Sequence, residues 1–256
     1  ASPSITASPF TSPDAPNELR VVVGSGQATL SWLAPTFDGG RPVDHYVVYQ
    51  DGVEIAQTTE AVLVITGLIN GQECSFTVAA HNTAGNGAQS NSVLATPFIV
   101  PDAPSQLDAT PENGQVTLTW TAPDFDGGRP IDYYIVYQDG VALSNHAVGV
   151  SVIIDGLNNG QEYSFIVVAH NVAGDSAQSG SVLATPFTMP DAPSQLEATP
   201  GDGQVTLTWA APDFDGGRPI DYYIIYMGGV ALPGHPTEPI STITGLTNGQ
   251  SYSCTV

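Results

Sequence analysis

The stretch that decides the fold is Gln115–Ile131, QVTLTWTAPDFDGGRPI, because the chain contains it almost three times. It occurs as QATLSWLAPTFDGGRPV at Gln27–Val43 and as QVTLTWAAPDFDGGRPI at Gln204–Ile220, so the copies are 88 and then 89 residues apart. A period of this length is too long for one unit of a solenoid and fits a whole small domain. The chain is therefore predicted to be an array of near-identical domains.

Within each copy, short alternating runs are separated by turn signals. Val116, Leu118 and Trp120 alternate with polar residues, which places them on one face of a strand. Asp139-Gly140 follows one such run and Asn159-Gly160 precedes another, and both dipeptides are typical of tight turns. No segment has a helical period. The pattern predicts an all-β fold in which each repeat is an antiparallel β-sandwich.

The residues that carry this pattern resemble those of the fibronectin type III family, in particular its bacterial extracellular members. The shared features are the single Trp, the AP-x-x-DGG-x-P loop, the Y-x-V-Y strand and the G-L-x-N-G-x-x-Y-x-F-x-V stretch. The resemblance implies tandem immunoglobulin-like sandwiches and a tyrosine corner, a buried Tyr whose hydroxyl bonds nearby backbone, at Tyr163 and Tyr252. Repeat 1 has Cys74 at this position and is expected to lack the bond.

The motifs divide the chain into four parts: 1–10, an orphan last strand; 11–98, repeat 1; 99–187, repeat 2; and 188–256, repeat 3 without the end of strand six and without strand seven. The orphan segment matches the last strand of the other repeats. Two interpretations remain open. The ends are arbitrary cuts in a longer array, or the segment is added as a strand to repeat 3 of another chain, which gives a head-to-tail homopolymer. The strand donor is then Ser4, Ile5, Thr6, Ala7 and Ser8.

The charge of the chain limits its partners. Four Arg, no Lys and 25 acidic residues give a net charge of -21, which disfavours nucleic acid and anionic membrane surfaces. No apolar run is long enough to span a membrane, so membrane insertion is not expected. Aligning the repeats places Cys74 and Cys254 at different core positions, which predicts free thiols rather than a disulfide.

The loop FDGGRP, which we call the junction loop, raises two questions. It occurs at Phe37–Pro42, Phe125–Pro130 and Phe214–Pro219. Its Asp-x-Asp-Gly pattern resembles part of a calcium loop but lacks the further acidic ligands, so calcium is possible and a solvated turn is favoured; otherwise no cofactor or metal is predicted. The aspartates concerned are Asp38, Asp124, Asp126, Asp213 and Asp215.

The arginines of the junction loops are candidates for residues at the domain junctions. They are Arg41, Arg129 and Arg218. Each either pairs with an acidic residue of the preceding repeat or satisfies carbonyls of its own loop. The expected acidic partners are Asp51 or Glu73 for Arg129, and Asp139 or Glu162 for Arg218. The connecting segments contain three prolines each, which predicts stiff connectors and an extended rod.

Apolar residues on the outward positions of neighbouring strands predict an association surface, which we call the sheet face. Placing Tyr134 and Val136 inward leaves Tyr133, Ile135 and Tyr137 outward. Ordinary surface β-propensity is the alternative. The complete set is Tyr133, Ile135, Tyr137, Ile166, Val168, Leu183, Tyr222, Ile224 and Tyr226.

No constellation of residues predicts catalysis, since the five His are scattered and His81 and His170 are assigned to loops. The sequence favours a secreted or cell-surface structural or adhesive rod, with a protein partner or self-association. The alternative is a spacer and carbohydrate-binding array of a secreted polysaccharide-degrading enzyme.

Overall fold

A computed structural model describes residues 4–256. These residues contain strands, turns and extended segments but no α-helix, so none of them forms a helix that could cross a membrane. They divide into two compact units. The first contains residues 4–104, Ala122–Ile135 and Val168–Gln178. The second contains Ser105–Thr121, Val136–Val167 and Ser179–Val256.

Repeat 1 lies in the first unit and forms two antiparallel sheets. The first sheet has the order β1-β2-β5, and the second has the order β4-β3-β6-β7, with β8 also paired to β6. The strands are β1 (Asn17–Gly24), β2 (Gln27–Leu33), β3 (His45–Gln50), β4 (Val53–Thr58), β5 (Val62–Thr66), β6 (Cys74–Asn82), β7 (Gly85–Gln89) and β8 (Val93–Ala95).

The core of repeat 1 follows from alternation along its strands. Ala28, Leu30 and Trp32 of β2 are buried, whereas the residues between them are more exposed. They pack with inward residues of the second sheet, among them Val48 and Phe76. Burying each large apolar side chain contributes about 1.5–3 kcal/mol, which makes this alternation the main determinant of strand register.

Repeat 2 has the same strand order. One sheet is β13-β10-β9, and the other is β12-β11-β14-β15, with β16 paired to β14. Its strands are β9 (Ser105–Glu112), β10 (Gln115–Thr121), β11 (Tyr133–Gln138), β12 (Val141–Ala142), β13 (Ser151–Ile154), β14 (Tyr163–Asn171), β15 (Gly174–Asp175) and β16 (Val182–Ala184).

Repeat 3 lies in the second unit and forms two three-stranded sheets, β17-β18-β21 and β20-β19-β22. Leu207, Trp209, Tyr223 and Ile225 form its buried cluster. The strands are β17 (Ser194–Gly201), β18 (Gln204–Ala210), β19 (Tyr226–Met227), β20 (Val230–Ala231), β21 (Ile240–Thr244) and β22 (Cys254–Thr255). The prediction of an all-β chain of tandem sandwiches is confirmed.

The predicted tyrosine-corner hydrogen bonds are present in both repeats, with Tyr163 buried and Tyr252 half-buried. The backbone N–H of Asn158 donates to the Tyr163 hydroxyl at 3.0 Å, and that of Thr247 donates to the Tyr252 hydroxyl at 3.0 Å. In repeat 1 the thiol of Cys74 lies 3.9 Å from the Gln72 carbonyl instead. Burial raises the pKa of this thiol. Cys74 and Cys254 are both free.

The N-terminal segment differs from its prediction. Ser4–Ser8 were expected to form a strand, but in the single chain they are exposed and belong to no strand. The edge of β6 that a last strand would occupy is already paired with β8, where Cys74 lies opposite Ala95. In repeat 1 the position of the last strand is therefore already occupied.

Candidate functional site: the domain junctions and the sheet face

Each junction loop is fixed to the segment that precedes its own repeat by a recurring set of backbone hydrogen bonds. In repeat 2 the Ile99 N–H donates to the Gly127 carbonyl at 2.8 Å, and the Asp102 N–H donates to the Phe125 carbonyl at 3.0 Å. The corresponding bonds of repeats 1 and 3 are Thr11 to Gly39 at 2.9 Å, Asp14 to Phe37 at 3.0 Å, Thr188 to Gly216 at 2.8 Å and Asp191 to Phe214 at 3.0 Å. The three loops thus have one conformation.

A buried amide completes this arrangement in the first unit. The Asn171 side chain is fully buried, and its Nδ2 donates to the carbonyls of Ile99 at 2.9 Å and Asp126 at 2.8 Å. Its Oδ1 accepts from the Ala173 N–H at 2.8 Å. Asn82 makes the same three bonds in repeat 1, with Thr11, Asp38 and Ala84. Sequence analysis assigned no role to these residues, although both lie in a recurring H-N-x-A-G motif that marked the position.

Glycine allows two repeats to approach each other at this loop. Gly71, in the turn before β6, and Gly128 both lie in the first unit and both have a φ of +83°. A β-carbon on Gly128 would lie 2.5 Å from the Gly71 nitrogen and 2.6 Å from its α-carbon, distances that atoms do not reach. The Phe125 ring also lies against Gly71. The contact therefore requires glycine at position 128, and at position 71 it leaves a β-carbon only 3.2 Å from the Phe125 ring in a backbone conformation that favours glycine.

The same contact occurs in the second unit. A β-carbon on Gly217 would lie 2.8 Å from the α-carbon of Gly160, and one on Gly160 would lie 3.7 Å from the Phe214 ring. The N–H groups of Gly71 and Gly160 both donate to the carbonyl of a proline before the next repeat, Pro97 at 2.8 Å and Pro186 at 2.9 Å. Two successive junctions are thus built from the same parts.

The junction arginines are at this site, but their partners differ from those expected. Each guanidinium lies over a phenylalanine ring: Arg41 over Phe10 at 5.0 Å, Arg129 over Phe98 at 5.0 Å, and Arg218 over Phe187 at 3.7 Å. Among residues 4–256, the arginine that forms a salt bridge is Arg20, with Glu18, and not an arginine of a junction loop.

Of the two alternatives for these arginines, the ion pair with the preceding repeat is not found among residues 4–256. The partners proposed for them were Asp51, Glu73, Asp139 and Glu162. All three arginines are exposed, so an ion pair would contribute little, whereas an aromatic ring beside the loop offers a cation–π contact of about 0.5–1 kcal/mol.

The junction aspartates act as turn residues. Asp38, Asp126 and Asp215 each accept a hydrogen bond at Oδ1 from the glycine N–H two residues later, at 2.8 Å in every case. Among residues 4–256, these aspartates and their neighbours Asp124 and Asp213 form no group of three candidate ligands. The geometry is that of an Asx turn, and it favours the solvated-turn interpretation of these loops.

The sheet face is only partly open. Tyr134 and Val136 are buried, as their inward placement requires, and Tyr133, Ile135, Tyr137 and Ile166 are half-buried. In repeat 3, Ile224 is half-buried and Tyr226 is exposed. Leu183 and Tyr222 are 59% and 47% exposed.

Val168 was predicted to be outward and accessible, but it is 3% exposed. It shares its face of β14 with His170, and the His170 ring stacks on Tyr133 with centroids 4.5 Å apart. A short side chain on an inner strand of a sheet can be covered by its longer neighbours. Val168 is therefore not part of an accessible surface.

The histidines of this face were also placed incorrectly. His81 and His170 were assigned to loops, but both lie in strands, β6 and β14. His81 stacks on His45 at 4.2 Å, and in repeat 3 Tyr222 stacks on His235 at 4.4 Å. Each repeat thus has a stacked pair containing histidine; in repeats 1 and 2 the pair joins two neighbouring strands, whereas Tyr222 and His235 of repeat 3 belong to no strand.

Comparison with known proteins agrees with this architecture. The sequence profile of the family described as "Fibronectin type III domain" matches residues 14–96 and 102–185. Exoglucanase B of Cellulomonas fimi is 31% identical over 264 residues, which include 96% of this chain and 24% of that protein. Chitinase A1 of Niallia circulans is 33% identical over 183 residues, 67% of this chain and 26% of that protein.

The chain therefore spans about a quarter of the length of these relatives. The titin homolog of Caenorhabditis elegans is 30% identical over 89% of this chain and 1% of that protein. The solved FN1–FN3 domains of chicken CNTN1 align with a TM-score of 0.38 and 17% identity, covering 94% of this chain and 92% of that one. With two profile matches that together cover most of its length, this chain belongs to the fibronectin type III family.

Proposed function

We propose that this chain is a segment of a secreted or cell-surface protein in which fibronectin type III repeats form a structural or adhesive rod. The observation that carries the proposal is the glycine-to-glycine contact between a turn of one repeat and the junction loop of the next, present at both Gly71–Gly128 and Gly160–Gly217. A flexible string of independent domains requires no such contact. A spacer that sets a defined distance does.

Small-angle X-ray scattering of the chain tests the rod. A stiff array gives a maximum dimension close to the summed lengths of its repeats, and a compact, folded-back particle contradicts the proposal. The proposal assigns no catalysis to the described residues, since domains of this family mostly bind or space other parts of a protein.

A second candidate function is that of a spacer and carbohydrate-binding array beside a polysaccharide-degrading domain. The similarity to proteins named exoglucanase B and chitinase A1 favours it, because the chain matches only a quarter of each. Sedimentation with insoluble cellulose and with chitin separates the two candidates. Retention on either polymer favours the array, and its absence favours the plain rod.

A protein partner or self-association through the sheet face is part of the first proposal. Ile135 and Ile166 are half-buried, and Leu183 offers an exposed apolar side chain. Charge at the centre of such a surface opposes association, because each ionised group must be desolvated. Ile135→Asp with Ile166→Asp is expected to reduce association measured by analytical ultracentrifugation, while Val148→Asp, at an exposed apolar residue outside the face, leaves it unchanged.

Head-to-tail addition of Ser4–Ser8 to another chain is a finer form of the same proposal. Its support is the sequence match of Ser4–Ser8 to Ser92–Thr96 and Ser181–Thr185, which contain the last strands of repeats 1 and 2. If it is correct, deletion of residues 1–9 abolishes head-to-tail polymers and leaves repeats 1 and 2 folded.

A further inference from the structure

Three side chains that can bind a metal meet at one end of the second sheet of repeat 1. Asp44 directly precedes β3, His45 is the first residue of β3, and His81 lies opposite His45 on β6. The Asp44 N–H donates to the His81 carbonyl at 3.0 Å, which holds the two strands together at this point. The three residues are called the histidine–aspartate cluster below.

The side chains of the cluster point at one another. One carboxylate oxygen of Asp44, Oδ1, lies 2.7 Å from Nδ1 of His45 and 2.7 Å from Nδ1 of His81. The two imidazole rings stack with centroids 4.2 Å apart and planes inclined by 27°. Both ring nitrogens therefore point toward a single oxygen, so three potential ligand atoms face a common position.

Candidate ligand atoms of the cluster all lie within 4.8 Å of one another. Zinc–nitrogen and zinc–oxygen bonds are about 2.0–2.2 Å long, so small rotations of these side chains bring all three atoms into the coordination sphere of one ion. Imidazole nitrogen suits Zn²⁺, Cu²⁺ and Ni²⁺, whereas Ca²⁺ and Mg²⁺ prefer oxygen ligands. The side chains of His45, His81 and Asp44 are 26%, 29% and 46% exposed, which leaves an ion and its water ligands a path from solvent.

We propose that Asp44, His45 and His81 form a binding site in repeat 1 for a divalent transition metal ion, Zn²⁺, Cu²⁺ or Ni²⁺. The two imidazoles and the carboxylate supply three ligands, and water completes the coordination. Binding takes place with both Nδ1 atoms deprotonated, so that each ring carries its proton on Nε2. The ion then joins β3 to β6 through their side chains.

Repeat 2 provides a natural comparison because it lacks one ligand. Tyr133 stands where repeat 1 has His45, and its ring stacks on His170 at 4.5 Å. The His170 Nδ1 lies 2.5 Å from the carboxylate of Asp175, on the next strand. Asp132 precedes β11 as Asp44 precedes β3, but among residues 4–256 the side chains of repeat 2 form no group of three candidate ligands, so the site is proposed for repeat 1.

Isothermal titration of the whole chain with ZnCl₂, after dialysis against a chelator, tests the site. One zinc ion per chain is expected, together with a rise in the melting temperature that EDTA reverses. Removing a residue that only hydrogen-bonds to a metal ligand lowers metal affinity about 10–100-fold. His45→Tyr removes a ligand itself, so it is expected to lower the zinc affinity at least as much. The tyrosine is already accommodated at this position in repeat 2, so the variant is expected to fold.

His170→Asn in repeat 2 is the matched control and leaves zinc affinity unchanged. Nuclear magnetic resonance of the histidine rings gives an independent measurement, in which zinc shifts the signals of His45 and His81 and not that of His170. Three results overturn the proposal: no saturable binding by the unmodified chain, equal affinity of His45→Tyr, or an equal loss of affinity on His170→Asn.

Discussion

The junction loops and the sheet face differ in what the repeats share. The three junction loops make the same backbone hydrogen bonds to within about 0.1 Å, and two of them make the same glycine contact. The ring pairs beside the sheet face change from one repeat to the next: His45 with His81 in repeat 1, Tyr133 with His170 in repeat 2, and in repeat 3 Tyr222 with His235, which lies outside the strands. Contacts made by the backbone fix the connection between repeats, and side chains on the face give each repeat its own surface.

The largest effect is expected where a β-carbon enters the glycine contact. Gly128→Ala places a methyl group on the backbone of Gly71 and keeps a φ of +83°. Left-handed backbone costs an alanine about 1–2 kcal/mol, and overpacking adds about 1–3 kcal/mol. A loss of about 2–5 kcal/mol in the free energy of unfolding is expected, measured by urea denaturation.

Gly140→Ala is the matched control for this change. Gly140 has a φ of +81°, but an added β-carbon meets nothing within 4 Å. The Gly140→Ala variant therefore measures the backbone strain alone, and its free energy of unfolding is expected to fall by only about 1–2 kcal/mol. Equal losses for the two variants would mean that the glycine contact contributes nothing.

The next effect concerns the buried amide under the junction loop. Asn171→Ala removes two hydrogen bonds to carbonyls and one from an N–H, at a side chain that is fully buried. Each buried polar group left unsatisfied costs about 1–3 kcal/mol, so a loss of about 2–4 kcal/mol is expected. Asn158→Ala, at an exposed side chain, is the control and should change unfolding by less than about 0.5 kcal/mol. A comparable loss of unfolding free energy in Asn158→Ala would show that the buried hydrogen bonds of Asn171 contribute no more than those of an exposed asparagine.

The smallest effect is expected at the arginine. Arg129→Ala removes a cation–π contact 5.0 Å from the centre of the Phe98 ring. Since the guanidinium is exposed, the expected loss is about 0.5–1 kcal/mol, and 1 M salt should weaken it only slightly, because the ring carries no net charge. A strong salt dependence of the stability difference between Arg129→Ala and the unmodified chain would instead indicate an ion pair.

Most of the fold was predictable because it depends on local patterns. Val116, Leu118 and Trp120 alternate in the sequence and are buried in the structure, and the tyrosine corner follows from one residue in a recognisable motif. These features need no knowledge of which strand lies beside which.

The site residues were harder to predict because they depend on register and on close approach. His45 and His81 are 36 positions apart and meet only because β3 and β6 pair in one register. Arg129 contacts an aromatic ring rather than an acidic side chain, because Phe98 of the connecting segment lies beside the junction loop. Val168 was predicted to be outward and accessible, but its burial could not be foreseen from alternation alone.

The central claim is that successive repeats make a specific contact at the junction loop. The most direct measurement is the nuclear Overhauser effect between the Phe125 ring protons and the α-protons of Gly71, with Phe214 and Gly160 as the second instance. Cross-peaks at both junctions are predicted, as strong as those between Trp32 and Tyr46, whose rings lie 5.4 Å apart in the core of repeat 1. Strong Trp32–Tyr46 cross-peaks without either junction cross-peak would contradict the account.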